Sequence, residues 1–263
     1  MVNPYILKSP VIDKGLLYEY INIHSGAAKN FSSAYFSGGP SRNHEIALRV
    51  IKYAVEIFLH WTPEEVKNYL NKDVIEDMKL KRVMSYISFP PGLDPNKDYW
   101  YIAHMLYPDE LPFSMEDVTL FVYKRLLRGI ESGKSVKIPK FMFDNHDGRQ
   151  RAQLCFRYLL SHYIPFKTPE DAYAFFASSR GEQELNKYGL TLVWKNIFGS
   201  PVSFLHNSLP QEQRNDFLYH YYEFQYRYRE MNSNRKRFKV INDVNKFHYM
   251  VDLIPEDAKK QEV

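Results

Sequence analysis

Three side chains able to do chemistry crowd into one short loop, where Phe143-Asp144-Asn145-His146-Asp147-Gly148 sets an imidazole between two carboxylates. A cluster of this kind is the raw material of a divalent-metal or nuclease site, which needs further His, Asp or Cys ligands from other helices or a ββα context. Neither is visible around it, and Asp147 reads instead as the cap of a helix beginning near Gly148. Glu64 and Glu65 are adjacent carboxylates, but they follow Thr62-Pro63, and acids in the first turn of a helix stabilise its positive end without any catalytic role. Cys155 lies between Leu154 and Phe156 with no base or orienting partner in its helix, so it reads as a small hydrophobe. His104 and His206 read as packed side chains, and Gly38-Gly39-Pro40-Ser41 lacks the glycine spacing of a phosphate loop. No catalytic residue, metal ligand or cofactor is assigned, and the chain leans away from an enzyme.

The chemistry that remains is charge. Across 124–157 stand nine Lys or Arg (Lys124, Arg125, Arg128, Lys134, Lys137, Lys140, Arg149, Arg151 and Arg157) against three acids, Glu131, Asp144 and Asp147. That local excess is larger than the +4 of the whole chain, so the remainder is slightly acidic. A concentrated basic segment is the footprint expected of a phosphate-backbone contact, and Arg235, Lys236, Arg237 and Lys239 add a second compact patch. A solvated basic linker accounts for the first run equally well.

The elements that must position these residues form a pattern that occurs twice. Ala47 and Tyr53 match Ala152 and Tyr158 at a spacing of 105, and Thr62-Pro63-Glu64-Glu65 matches Thr168-Pro169-Glu170-Asp171 at 106. Leu80 and Ile87 match Leu190 and Ile197 at 110; His104 and Pro108 match His206 and Pro210 at 102. The changes of offset fall in turn-forming segments, where loop length costs little closure entropy. Each unit predicts a long helix, a Thr-Pro-capped helix, a short helix and a final helix ending at proline. In the first, Asn43 is expected to cap a helix running to His60 that is apolar on more than one side and therefore central. The short helices are expected near Leu80 to Ile87 and Leu190 to Phe198, and Ser200-Pro201 opens the last helix of the second unit.

Five segments follow: an arm at 1–35, repeat unit 1 at 36–110, a linking helix and basic segment at 111–140, repeat unit 2 at 141–210, and an aromatic helix with a basic tail at 211–263. The arm, with Leu16-Leu17-Tyr18-Glu19-Tyr20-Ile21, reads as irregular or a small hairpin. Ser114 is expected to cap the linking helix, with Gly129 and Gly133 helping to stop it. After Pro210 comes a helix on which Phe217, Tyr221, Phe224 and Tyr228 form one stripe with Tyr222 and Tyr226 beside it; such stripes are usually core, here clamping the units or burying a dimer contact. A strand is expected over 246–254. The fold class is mostly α, with small irregular or β terminal segments.

Chain length and 44% apolar residues describe a globular protein that needs no staple. The lone cysteine suggests a reducing compartment, and no signal-like or spanning apolar run is present, so a cytoplasmic protein without a membrane partner is expected.

The run Gly148-Arg149-Gln150-Arg151-Ala152, then Thr168-Pro169-Glu170-Asp171, then Ser200-Pro201 and Pro210 resembles an uncharacterised bacterial and phage helical repeat family, as do Trp61-Thr62-Pro63-Glu64-Glu65 and Tyr107-Pro108 in the first copy. Asn43-His44 and Lys167 depart from its Gly-Arg start and its Trp. The resemblance implies helical repeats and a phage or mobile-element origin, and no chemistry. Two function classes follow from the residues: a non-enzymatic nucleic-acid-binding, chiefly DNA-binding, or regulatory protein using the two basic runs, and a protein-interaction module or inhibitor using the aromatic helix, with room for a homodimer.

Overall fold

The computed structural model describes residues 3–8, 11–133, 142–143 and 147–237, with side chains followed to Ser233. Among these residues the chain is helical without a strand, which gives a mostly α protein. It divides into two compact units, Met1–Val118 and Thr119–Val263. The strand expected over 246–254 lies outside the described residues.

In the first unit the helices are α1 (Lys14–His24), α2 (Ser33–Phe36), α3 (Pro40–Tyr53), α4 (Pro63–Tyr69), α5 (Lys72–Asp77), α6 (Lys81–Met84) and α7 (Trp100–Leu106). The arm expected at 1–35 contains a helix instead of a hairpin: Asp13 accepts from the amides of Gly15 and Leu16, and Leu16 and Tyr20, one turn apart, are buried. A cap plus one apolar stripe outweighs the β-prone tyrosines and isoleucine. Tyr20 then donates its hydroxyl to the carbonyl of Met78, 3.0 Å away.

As expected, α3 is central, with Ala47, Leu48, Val50 and Ile51 fully buried. Its start differs from the expected one. Gly39 is the cap and Pro40 opens the helix, because proline's fixed φ suits the first position; Asn43 sits inside and donates to the carbonyl of Phe36. The helix also ends differently, passing into a π-helical turn at Ala54–Phe58. Thr62 makes the full capping box: its hydroxyl accepts from the Glu65 amide, and Glu65 accepts from the Thr62 amide at 2.8 Å. The Thr62 amide and the Thr62 hydroxyl both donate to the Glu65 carboxylate and hold it below its ordinary range. The expected helix over 80–87 shrinks to α6.

His44 is a buried histidine with both nitrogens used. Nε2 lies 2.9 Å from the Tyr5 carbonyl and Nδ1 accepts from the Ser88 amide at 3.1 Å, an arrangement that only the neutral ring satisfies. Burial lowers its pKa, so between the lowered folded value and the ordinary value near 6.5 the unfolded chain binds more protons. Stability is therefore complete above about pH 6.5 and falls as the pH drops through that window. His44→Asn, which does not titrate, is expected to be less stable at pH 7.5 yet to lose less stability between pH 7.5 and 5.5 in urea titrations. Equal losses in variant and parent would remove His44 from the acid response.

In the second unit the helices are α8 (Met115–Glu131), which crosses the division between units, α9 (Gly148–His162), α10 (Pro169–Ala177), α11 (Ser179–Lys187), α12 (Thr191–Val193), α13 (Pro201–Ser208) and α14 (Asp216–Arg237). Ser114 caps α8 as expected, its hydroxyl accepting from the Asp117 amide while Asp117 accepts from the Ser114 amide. Gly129 lies within α8, whereas Gly133 takes the left-handed φ of 75° that follows its end. Asp147 stands at the cap position of α9 without a side-chain capping bond. Thr168 caps α10, and Ser200 caps α13 with Pro201 opening it. The short helix expected over 190–198 is α12 followed by a π-helical turn at Trp194–Phe198.

One turn has the same hydrogen bonds in both units. After α5, Met78 donates to Val74, Lys79 to Glu76 and Leu80 to Ile75; after α11, Tyr188 donates to Glu184, Gly189 to Asn186 and Leu190 to Leu185. The offset of 110 is the one at which Leu80 pairs with Leu190 in the sequence. Lys79 and Gly189 both take a left-handed φ, 58° and 78°, which glycine adopts without strain and lysine at a cost of about 1 kcal/mol.

Candidate interaction surface

The described cations of the basic run divide into different environments. Arg151 is buried, and its Nε donates to the Met142 carbonyl at 2.7 Å. It serves the second unit's interior and is not placed to meet a phosphate, which corrects its assignment as a contact residue. Arg149 is exposed but engaged, donating to Asn207 Oδ1 at 2.9 Å with its guanidinium 4.8 Å from the Phe198 ring centre. Lys124 is half-buried over the Tyr158 ring at 4.9 Å, and Arg125 is exposed with its guanidinium 5.5 Å from the Phe121 ring. Arg128 and Arg157 are exposed.

The contact of Lys124 with Tyr158 brings the basic face of α8 beside the carboxyl half of α9, where Arg157 lies. Arg149 is about 12 Å away along the α9 axis, so it is not brought into the same group. None of the ion pairs between described residues includes Lys124, Arg128, Arg149 or Arg157. Lys134, Lys137, Lys140 and Lys239 lie outside the described residues, as do the side chains of Arg235, Lys236 and Arg237.

The candidates for catalysis fare differently again. Cys155 is fully buried, and burial pushes its thiol well up from the ordinary value. His104 is packed among Trp100, Tyr101 and Phe113, with Nδ1 2.8 Å from the Leu111 carbonyl. His206 Nδ1 lies 2.8 Å from the Tyr173 hydroxyl, and its ring stacks on Tyr219. Among the described residues no group of three His, Cys, Asp or Glu is placed to hold a metal; Asp144 and His146 are not among them. No described helix is long and apolar enough to cross a membrane.

The aromatic helix α14 has two faces with opposite fates. Its inner face is fixed to the second unit: Tyr226 is fully buried with its ring edge-on to Trp194, Tyr219 stacks on His206 at 4.3 Å, Glu223 accepts from the Ser200 hydroxyl, and Arg229 pairs with Glu182. Because Ser200 also caps α13, one hydroxyl couples that helix start to α14. With this face turned inward, the opposite stripe must face out. Phe217, Tyr221 and Tyr228 are 47%, 47% and 48% exposed, and Phe224 is half-buried between them. The rings stack in pairs, Phe217 on Tyr221 at 6.4 Å and 8°, Phe224 on Tyr228 at 6.3 Å and 19°.

That outward stripe reverses the expectation that these four residues are core. The readable signal was a second aromatic series, Tyr219, Tyr222 and Tyr226, on the other side of the same helix. One unit covers only one side of a helix, so one series had to remain at the surface. Comparison of the chain with protein-family models, with curated proteins and with solved structures finds no match to any of them.

Proposed function

We propose that this protein is an interaction module whose docking face is the outer stripe of α14. The supporting observation is four aromatic side chains, spaced 4, 3 and 4 along a helix pinned by its opposite face, that remain at the surface. Aromatic rings carry much of the energy of protein interfaces because they bury large area at low entropic cost, and here stacking limits that cost further. A rigid helix presenting them needs little reorganisation to bind.

A second reading, polynucleotide binding, is supported by exposed Arg128 and Arg157, together with Lys124, none ion-paired to a described acid. Salt separates the two. A photo-crosslinking phenylalanine analogue at position 224 is expected to form a discrete protein adduct that persists at about 1 M salt, where the Debye length is only about 3 Å. Absence of any adduct, beside DNA or RNA retention that falls steeply with salt, would replace the docking reading with the second one.

A further inference from the structure

We infer that the occupant of the α14 stripe is a second copy of the same chain, with the two α14 helices packed antiparallel; this rests on the docking reading above. Phe217, Tyr221, Phe224, Tyr228 and Met231 follow one another at 4, 3, 4 and 3 residues, which is the spacing of a coiled-coil seam. The positions flanking the four rings are Leu218, His220, Gln225 and Arg227, and Arg227 is already paired with Glu223 of its own helix at 2.9 Å. Two such faces therefore meet without like-charge repulsion along the seam.

Orientation follows from the ends. The first half of α14 carries Asp216 and Glu223 and no Lys or Arg, while the second half holds Arg227, Arg229, Arg235, Lys236 and Arg237 against Glu230 alone. A parallel pair would set the two basic ends side by side. An antiparallel pair separates the two basic ends and also opposes the helix dipoles favourably. The register that matches ring to ring places Phe217 opposite Tyr228 and Tyr221 opposite Phe224, so all four aromatics are covered at once.

Each half-exposed ring leaves roughly 100 Å² to cover, so the rings of two copies bury on the order of 800 Å², and with the flanking side chains the contact reaches the low end of specific interfaces. A reversible dimer is the result expected.

Light scattering on the purified full chain should give a mass rising with concentration toward twice the 31.3 kDa of one chain, unchanged by high salt. The Tyr221→Glu, Phe224→Glu double variant should stay monomeric with unaltered circular dichroism. Orientation is read by cysteine pairs. A Leu218→Cys, Gln225→Cys protein, with both thiols on one edge of the seam, should oxidise to a covalent dimer, and Met231→Cys should not, since seam residue 231 meets itself only in a parallel pair. A parental chain that remains monomeric at high concentration overturns self-pairing, and cross-linking of Met231→Cys overturns the antiparallel arrangement. If the photo-adduct at 224 then contains another protein, the docking reading survives without the self-pairing; if no adduct forms either, both fail.

Discussion

Phe156→Ala is expected to destabilise the second unit by about 3–5 kcal/mol, the range for removing a fully buried phenylalanine. Phe156 has no exposed surface and stacks on Phe204 with ring centres 4.2 Å apart and an interplanar angle of 20°. Phe204 stacks in turn on Phe198 at 4.5 Å, and Phe176 meets Phe156 edge-on at 5.2 Å. Truncation loses the transfer energy of the ring and leaves a cavity beside rings held by three other elements, α10, α13 and the π-helical turn at Trp194–Phe198, so collapse around it is limited. Urea unfolding followed by circular dichroism measures the cost. Phe217→Ala is the matched control: its ring is 47% exposed, so its loss should cost far less. Similar losses for the two variants would contradict the division of aromatics into a packed core and a surface stripe.

The second large effect concerns a cation. Arg151→Ala is expected to cost about 1.5–3 kcal/mol, since it deletes a buried charge-assisted hydrogen bond and leaves the Met142 carbonyl without that donor. Arg157→Ala, six residues further along the same helix and exposed, is expected to stay within about 0.5 kcal/mol. Paired denaturation curves decide the matter. If Arg151→Ala left stability unaltered while weakening polyanion retention as much as Arg157→Ala, its placement in the interior would be wrong. The contrast also shows why a run of positive charge is a poor map of a surface. On a helix, residues 149, 151 and 157 point in different directions, and one direction is toward the protein.

The sequence by itself determined the features that depend on neighbours within one turn. Thr62-Pro63-Glu64-Glu65, Ser114 with Asp117, Thr168-Pro169 and Ser200-Pro201 all start helices where their chemistry says they should, because a cap acts on amides two or three residues away. The burial of Cys155 and the central place of α3 were also readable, since a helix apolar all round has nowhere else to go. Short-range signals failed where two of them competed. Pro40 overrode Asn43 as the start of α3, and the Asp13 cap with Leu16 and Tyr20 overrode the β-prone composition of α1.

Only the tertiary structure decided which way a residue faces when both directions suit its own helix. Both series of rings on α14 are aromatic, so nothing within that helix ranks them. The choice was made by Trp194, Ser200, Glu182 and His206, which come from other segments and hold Tyr226, Glu223, Arg229 and Tyr219. Arg151 was settled likewise, by the carbonyl of Met142, nine residues away. Orientation of this kind is a property of contacts distant along the chain, and those form only when the whole unit packs.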